Sequence, residues 1–271
     1  MRGAFIDERP WRAPLRDRSG EPAVTPELDA VAFARVRLGF EPDAHQAEVL
    51  RSTAKRGILN CSRQWGKSTV TAAKAVHRAF TRAGSLVLVA SPGERQSREF
   101  LRKAADMVRK LKIRIRRDGD NAASLMFPNG SRIVGLPGTE ATVRGFSAVS
   151  LILIDEAALV DNVMYQSLTP MLAVGDGDLW MMSTPRGPRG FFYDTWNAGG
   201  DEWHRVSVKA TECERIPASF LDNERRGMDA AWFGQEYLCE FTVNGRDMYD
   251  RQIIEDSFEP EPMDLRNNRR R

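Results

Sequence analysis

The apolar residues of this chain fall into short unbroken runs separated by stretches of helical spacing. Ile58-Leu59, Leu86-Val87-Leu88-Val89-Ala90, Leu151-Ile152-Leu153-Ile154 and Leu179-Trp180-Met181-Met182 do not alternate with polar residues. Runs of this kind predict strands covered on both faces, as in a parallel sheet. Val70, Ala73, Val76 and Phe80 recur at helical spacing and predict a helix from Ser68 to about Arg82. A second helix is predicted from about Glu94 to Lys110. Leu125-Met126-Phe127 and Arg132-Ile133-Val134, joined by Pro128-Asn129-Gly130-Ser131, read as a hairpin. The expected fold class is α/β, with a mainly parallel central sheet flanked by helices. Residues 1–33 contain Pro10, Pro14, Pro22 and Pro26 and read as an irregular arm. The core is expected over 34–205. A smaller, mostly helical piece follows over 206–256 (Ile216 to Arg226, Ala230 to Phe241), and 257–271 reads as a flexible tail.

The candidate chemistry sits where the apolar runs end. After Ile58-Leu59-Asn60-Cys61 comes Ser62-Arg63-Gln64-Trp65-Gly66-Lys67-Ser68-Thr69, a tight loop that opens the first predicted helix. Strand, loop and helix in that order are the setting of a phosphate-binding loop. The helix start leaves N–H groups unpaired and carries a partial positive charge, so it can hold a polyphosphate. Lys67 would reach the β- and γ-phosphates, and Ser68 would offer its hydroxyl to Mg²⁺. Gly-Lys-Ser alone is a weak signal, and the usual earlier glycine is replaced by Cys61. An ordinary loop with one lysine is the alternative.

Leu151-Ile152-Leu153-Ile154 ends in Asp155-Glu156. Two acids at the carboxyl end of a buried strand lie at the crevice where open α/β sheets bind ligands. Asp155 can hold Mg²⁺, and Glu156 can orient the attacking water. The plainer possibility is that the pair caps the next helix. Leu179–Met182 ends in Ser183-Thr184-Pro185-Arg186-Gly187, whose hydroxyls could bond the γ-phosphate or the water. Ser, Thr, Pro and Gly also simply make turns. Gln46 could read an adenine edge, since an amide both donates and accepts. Arg144 precedes the Asp155 strand and could reach the phosphoryl group of a neighbouring subunit, although most arginines are surface residues.

Taken in order, these motifs resemble the ATPase domain of the large terminase subunit of tailed bacteriophages. The resemblance rests on Ser62–Ser68 with its Arg-Gln pair, on Val143-Arg144-Gly145 and on Leu153-Ile154-Asp155-Glu156-Ala157. It continues in Ser183-Thr184-Pro185, Gly190-Phe191-Phe192-Tyr193 and Glu236-Tyr237-Leu238-Cys239-Glu240-Phe241, and it covers about residues 36–255. It implies a P-loop NTPase fold of the ASCE/RecA-like kind with a small helical lid. The implied ATP-binding residues are Gln46, Ser62, Arg63, Gln64, Trp65, Gly66, Lys67, Ser68 and Thr69, and the implied Mg²⁺ residues are Ser68 and Asp155. Glu156 would be the catalytic carboxylate, Arg63 a loop arginine at the γ-phosphate and Arg144 a trans-acting arginine finger. Ser183 and Thr184 would couple hydrolysis to movement. The implied partners are double-stranded DNA, portal protein and small terminase subunit. The working form would be a homo-oligomeric ring, commonly a pentamer, in the host cell cytoplasm. Family members usually continue into a nuclease domain. The residues after Ile254 are too few for one, so DNA cleavage is not expected of this chain. A helicase-like ATPase and a nucleotide-gated docking module are the rival readings.

Composition adds little that is specific. The 271 residues are 42% hydrophobic and 28% charged, as in ordinary soluble proteins, with no apolar stretch of membrane-spanning length. Cys61, Cys213 and Cys239 suit a reducing compartment and suggest neither a disulfide framework nor a zinc site. The net charge of +3 does not by itself point to nucleic acid. Arg102, Lys103, Arg109, Lys110, Lys112, Arg114, Arg116 and Arg117 are clustered, however, and could meet DNA phosphates without reading sequence.

Overall fold

The computed structural model describes residues 29–116, 123–137 and 145–243. Most of the expected arm, the tail and Arg144 lie outside the described residues. The order of elements is α1 (Ala30–Leu38), α2 (Ala44–Arg51), β1 (Arg56–Cys61), α3 (Lys67–Thr81), β2 (Leu86–Ser91), α4 (Glu94–Lys110), β3 (Ser124–Met126) and β4 (Arg132–Pro137). Then come β5 (Leu151–Asp155), α5 (Asn162–Leu168), β6 (Asp178–Ser183), α6 (Gly190–Ala198), β7 (Trp203–Val208), α7 (Ala218–Gly227) and α8 (Ala230–Leu238).

The strands form one seven-stranded sheet in the order β3-β4-β2-β5-β6-β1-β7. Every neighbouring pair is parallel except β3 with β4, which form the expected hairpin. The unbroken apolar runs are explained by two covered faces. Leu151 and Leu153 of β5 pack with α1 to α4, while Ile152 and Ile154 pack with α5 and α6. Trp180 of β6 is fully buried and needs Gly57 beside it. A Cβ on Gly57 would lie 2.3 Å from the Trp180 ring.

Helix α3 is buried on nearly every side, since α1, α2 and α4 pack around it above the sheet. Its alanines, Ala72, Ala73, Ala75 and Ala79, allow that crowding. Two boundaries differ from expectation. Helix α1 starts at Ala30, within the segment expected to be irregular, because Val31, Phe33, Ala34 and Leu38 form a stripe that buries against α3. Strand β7 carries the sheet to Val208, past the boundary expected at 205, because Val206 and Val208 fill the core beside β1. Beyond it, Ala210, Leu221, Phe233 and Tyr237 make a small separate core for α7 and α8. No described helix is long and apolar enough to cross a membrane.

Candidate active site

Parallel pairing brings the carboxyl ends of β1, β6 and β5 side by side, with β6 in the middle. The loop after β1 is the expected phosphate-binding loop. Gln64 (φ 63°) and Gly66 (φ 103°) both take left-handed backbone. Gly66 is required twice over. Its φ disfavours a side chain, and a Cβ there would come within 2.9 Å of Gln46 Nε2. Helix α3 begins at Lys67 with no side-chain cap, so its first N–H groups face the loop opening.

Lys67 is buried, and its Nζ donates to Cys61 O, Ser62 O and Thr184 Oγ1, each at 3.2 Å. Ser68 Oγ lies 3.1 Å from both carboxylate oxygens of Asp155. Asp155 is 5% exposed. Burial, and then the neighbouring Glu156 charge, push its carboxyl up to about 6. A buried acid held at that level is one that a cation would stabilise in ionised form. Ser68 and Asp155 offer oxygen donors only, and no cluster of three or more His, Cys, Asp or Glu occurs among the described residues. That donor set fits Mg²⁺, which takes one or two protein oxygens and fills its shell with phosphate and water.

Glu156 is half-buried and sits in left-handed backbone (φ 52°, ψ 45°). It precedes the short 3₁₀ turn Ala157–Leu159 but makes no side-chain cap to it, so capping does not account for the residue. A non-glycine residue held in this conformation is under backbone strain that the surrounding fold must sustain. Glu156 lines a cleft of about 490 Å³ together with Phe40, Gln46, Lys103, Arg215 and the loop from Arg63 to Thr69.

Other expected residues are placed less directly. Gln46 stands at the third position of α2 and closes a capping box: Asp43 Oδ1 accepts from Gln46 N, and Gln46 Oε1 accepts from Asp43 N at 3.1 Å. Its Nε2 donates to Trp65 O at 2.9 Å, so the amide already braces the loop. Ser62 and Ser183 are fully buried, and neither hydroxyl has a partner among the described residues. Thr184, by contrast, bonds Lys67. Arg63 pairs with Glu236 of α8, and Arg63 N also donates to Glu236 O at 3.1 Å. Of the basic stretch, Arg102 pairs with Glu99 and Asp106, and Arg109 with Asp106, on the exposed side of α4.

Two residues that bond the loop had not been expected at the site. Glu236 is 6% exposed and so is an acid committed to the loop arginine. Arg215 reaches from the segment before α7 to donate to Trp65 O and to pair with Asp43 at 3.3 Å. Their sequence signal is faint. Glu236 sits between the core residues Phe233 and Tyr237, and only an acid in such a row hints at a distant partner.

A family profile described as "Terminase large subunit, T4likevirus-type, N-terminal" matches residues 58–256, which run from β1 through the whole α7–α8 region and past it. This chain belongs to the terminase large subunit family. Curated large terminase subunits of Thermus phage G20c and Thermus virus P23-45 are each 28% identical over 177 residues. That alignment takes in 57% of this chain and 36% of each relative, so the chain matches only about a third of their length. Among solved structures, the Thermus phage P74-26 large terminase ATPase domain superposes with a TM-score of 0.69 at 23% identity, covering 78% of this chain and 97% of that one. The HK97 bacteriophage large terminase gives 0.64 at 14% identity, covering 79% and 55%. These similarities place the fold among terminase ATPase domains.

Proposed function

We propose that this chain is the ATP-hydrolysing motor part of a viral terminase that moves double-stranded DNA into a procapsid. The observation that carries the reading is the meeting of Lys67, the Ser68–Asp155 pair and Glu156 at one cleft. ATP would lay its phosphates against the N–H groups that open α3, and Lys67 would exchange its carbonyl partners for phosphate oxygens. Bound Mg²⁺, held by Ser68 and Asp155, would neutralise charge on the β- and γ-oxygens. Glu156 would accept hydrogen from the attacking water and align it. Its position beside a buried Asp155 keeps two carboxylates with different tasks in adjacent places.

The Arg63–Glu236 pair ties the loop to α8. A phosphate at the cleft would compete with Glu236 for the guanidinium, so nucleotide state would be felt in the lid. Thr184 would sense the same event through Lys67, and Ser183 lies directly behind it on β6. Arg144, from a neighbouring subunit of a ring of five, would complete the charge around the phosphoryl group. Portal protein, small terminase subunit and DNA would be the partners in the host cytoplasm, with cations that have no ion pair among the described residues, such as Lys110, meeting DNA phosphates.

The test is Mg²⁺-dependent ATP turnover across protein concentrations, for wild type and Glu156→Gln, with ATP binding measured in parallel. Wild type is expected to hydrolyse ATP faster per subunit as concentration rises. Glu156→Gln is expected to bind ATP and lose about 10²-fold or more in rate. Binding without hydrolysis by wild type, even with portal protein and DNA added, would instead make the chain a docking module.

A further inference from the structure

Four cations line the nucleotide cleft among the described residues: Arg63, Lys67, Lys103 and Arg215. Three are already engaged. Arg63 pairs with Glu236, Lys67 donates to two carbonyls and Thr184, and Arg215 bonds Trp65 O and Asp43. Lys103 makes no hydrogen bond or ion pair with any described residue. This contrasts with its own helix, where Arg98, Arg102 and Arg109 all pair with acids one turn away. Those arginines are exposed, whereas Lys103 is half-buried and turned to the cleft.

The charge of Lys103 is felt by Glu99, one turn back on α4, and by Asp155, but its ammonium bonds directly to neither, so its N–H donors are left to a ligand. Lys103 lines the same cleft as Lys67, Ser68 and Glu156. In the proposed ATPase, those residues surround the terminal phosphate and its Mg²⁺. We propose that Lys103 is a nucleotide-contacting residue, a cation supplied in cis from α4 that binds the terminal phosphate of ATP. The inference rests on the ATPase reading of the cleft. It assigns Lys103, which the sequence grouped with cations for DNA, to the nucleotide instead.

The experiment is titration calorimetry of the whole chain with ATPγS and with ADP, plus Mg²⁺-ATP turnover, for wild type, Lys103→Ala, Lys103→Arg and Lys67→Ala. Lys103→Ala is expected to weaken ATPγS about 10-fold, raise KM in proportion and leave ADP affinity within about 2-fold, the size of one charge-assisted contact. Lys103→Arg should recover most of the ATPγS affinity. Unchanged ATPγS affinity, or equal losses for ATPγS and ADP, would overturn the assignment. So would a fall in kcat at constant affinity, which would make Lys103 a positioning residue for Glu156. Lys67→Ala separates the two levels. If it too binds ATPγS normally, the cleft is not the phosphate site and the functional reading itself fails. Thermal unfolding of each variant identifies a loss caused by misfolding, and Lys103→Gln then replaces Lys103→Ala.

Discussion

Lys67 Nζ donates to Thr184 Oγ1 at 3.2 Å, joining the loop after β1 to the end of β6 across 117 positions of sequence. Both side chains are buried, and Lys67 has two further acceptors in its own loop. Among the described residues, the threonine hydroxyl is therefore the one hydrogen-bond partner through which the loop lysine reports to a different strand. Thr184→Val keeps the shape and removes the acceptor. It is expected to slow turnover about 10-fold, with ATPγS affinity changed less, because Lys67 itself still reaches the phosphates. Steady-state kinetics beside calorimetry would check this, and an equal loss in affinity and rate would count against a coupling role.

Asp155 gives a stability prediction with a definite sign. Its folded carboxyl is pushed up to about 6, chiefly by burial. An unfolded aspartate titrates near pH 4. The folded chain thus holds this proton more tightly. Below about pH 4 the residue costs nothing; stability falls as pH rises from about 4 to about 6, and the loss of about 3 kcal/mol persists above that. Asp155→Asn removes the cost while retaining an acceptor for Ser68. Apo Asp155→Asn is expected to melt higher than wild type above about pH 7, with the advantage gone near pH 4, and to lack ATP turnover. Thermal unfolding at the two pH values decides it.

Arg63 and Glu236 should be coupled in stability as well as in function. Glu236 is 6% exposed, whereas the Arg63 side chain is 63% exposed, so solvent weakens the pair. Arg63→Ala leaves a buried carboxylate without its cation and is expected to cost about 1–2 kcal/mol. Glu236→Gln should cost less, and the double variant should fall short of the sum by about 0.5 kcal/mol or more. Urea unfolding of the four proteins tests this cycle, with additivity as the opposing result.

Gly57 is expected to be intolerant of a side chain. An added Cβ would lie 2.3 Å from the buried Trp180 ring, between two parallel strands that cannot easily part. Gly57→Ala should destabilise by about 1–3 kcal/mol through overpacking. Denaturant unfolding measures it, and Gly57→Ala with Trp180→Leu should recover part of the loss.

Arg144 is expected to act between subunits. Arg144→Ala should lower turnover about 10³-fold, and a mixture with Glu156→Gln should regain activity, because each protein supplies what the other lacks. Mixing the two inactive variants and following phosphate release is the measurement. No recovery at any ratio would place Arg144 outside the neighbour's site.

The sequence was most legible where one strand or helix carries its own signature. Leu86–Ser91, Glu94–Lys110 and Leu151–Asp155 follow from apolar runs and helical spacing, because both are local properties. The loop Ser62–Thr69 was legible for the same reason: strand, turn and helix follow each other directly. Helix α1 was hidden because its stripe of Val31, Phe33, Ala34 and Leu38 follows a proline-rich segment and gains its stability from α3. Strand β7 was hidden because only alternate residues are fully buried, at a sheet edge.

By itself, then, the sequence determined the α/β class, the phosphate loop and the acids that end a buried strand. It also supplied the motif order that marks the family, since each of these is written in consecutive residues. Tertiary structure alone decided which of them meet. The order β5-β6-β1 sets Thr184 between the loop and Asp155. The fold of α8 buries Glu236 against Arg63, and the packing of α4 turns Lys103 toward the cleft. Such contacts join residues tens to hundreds of positions apart, and what creates them is the burial of apolar faces that pack the sheet and helices together, which no local pattern encodes.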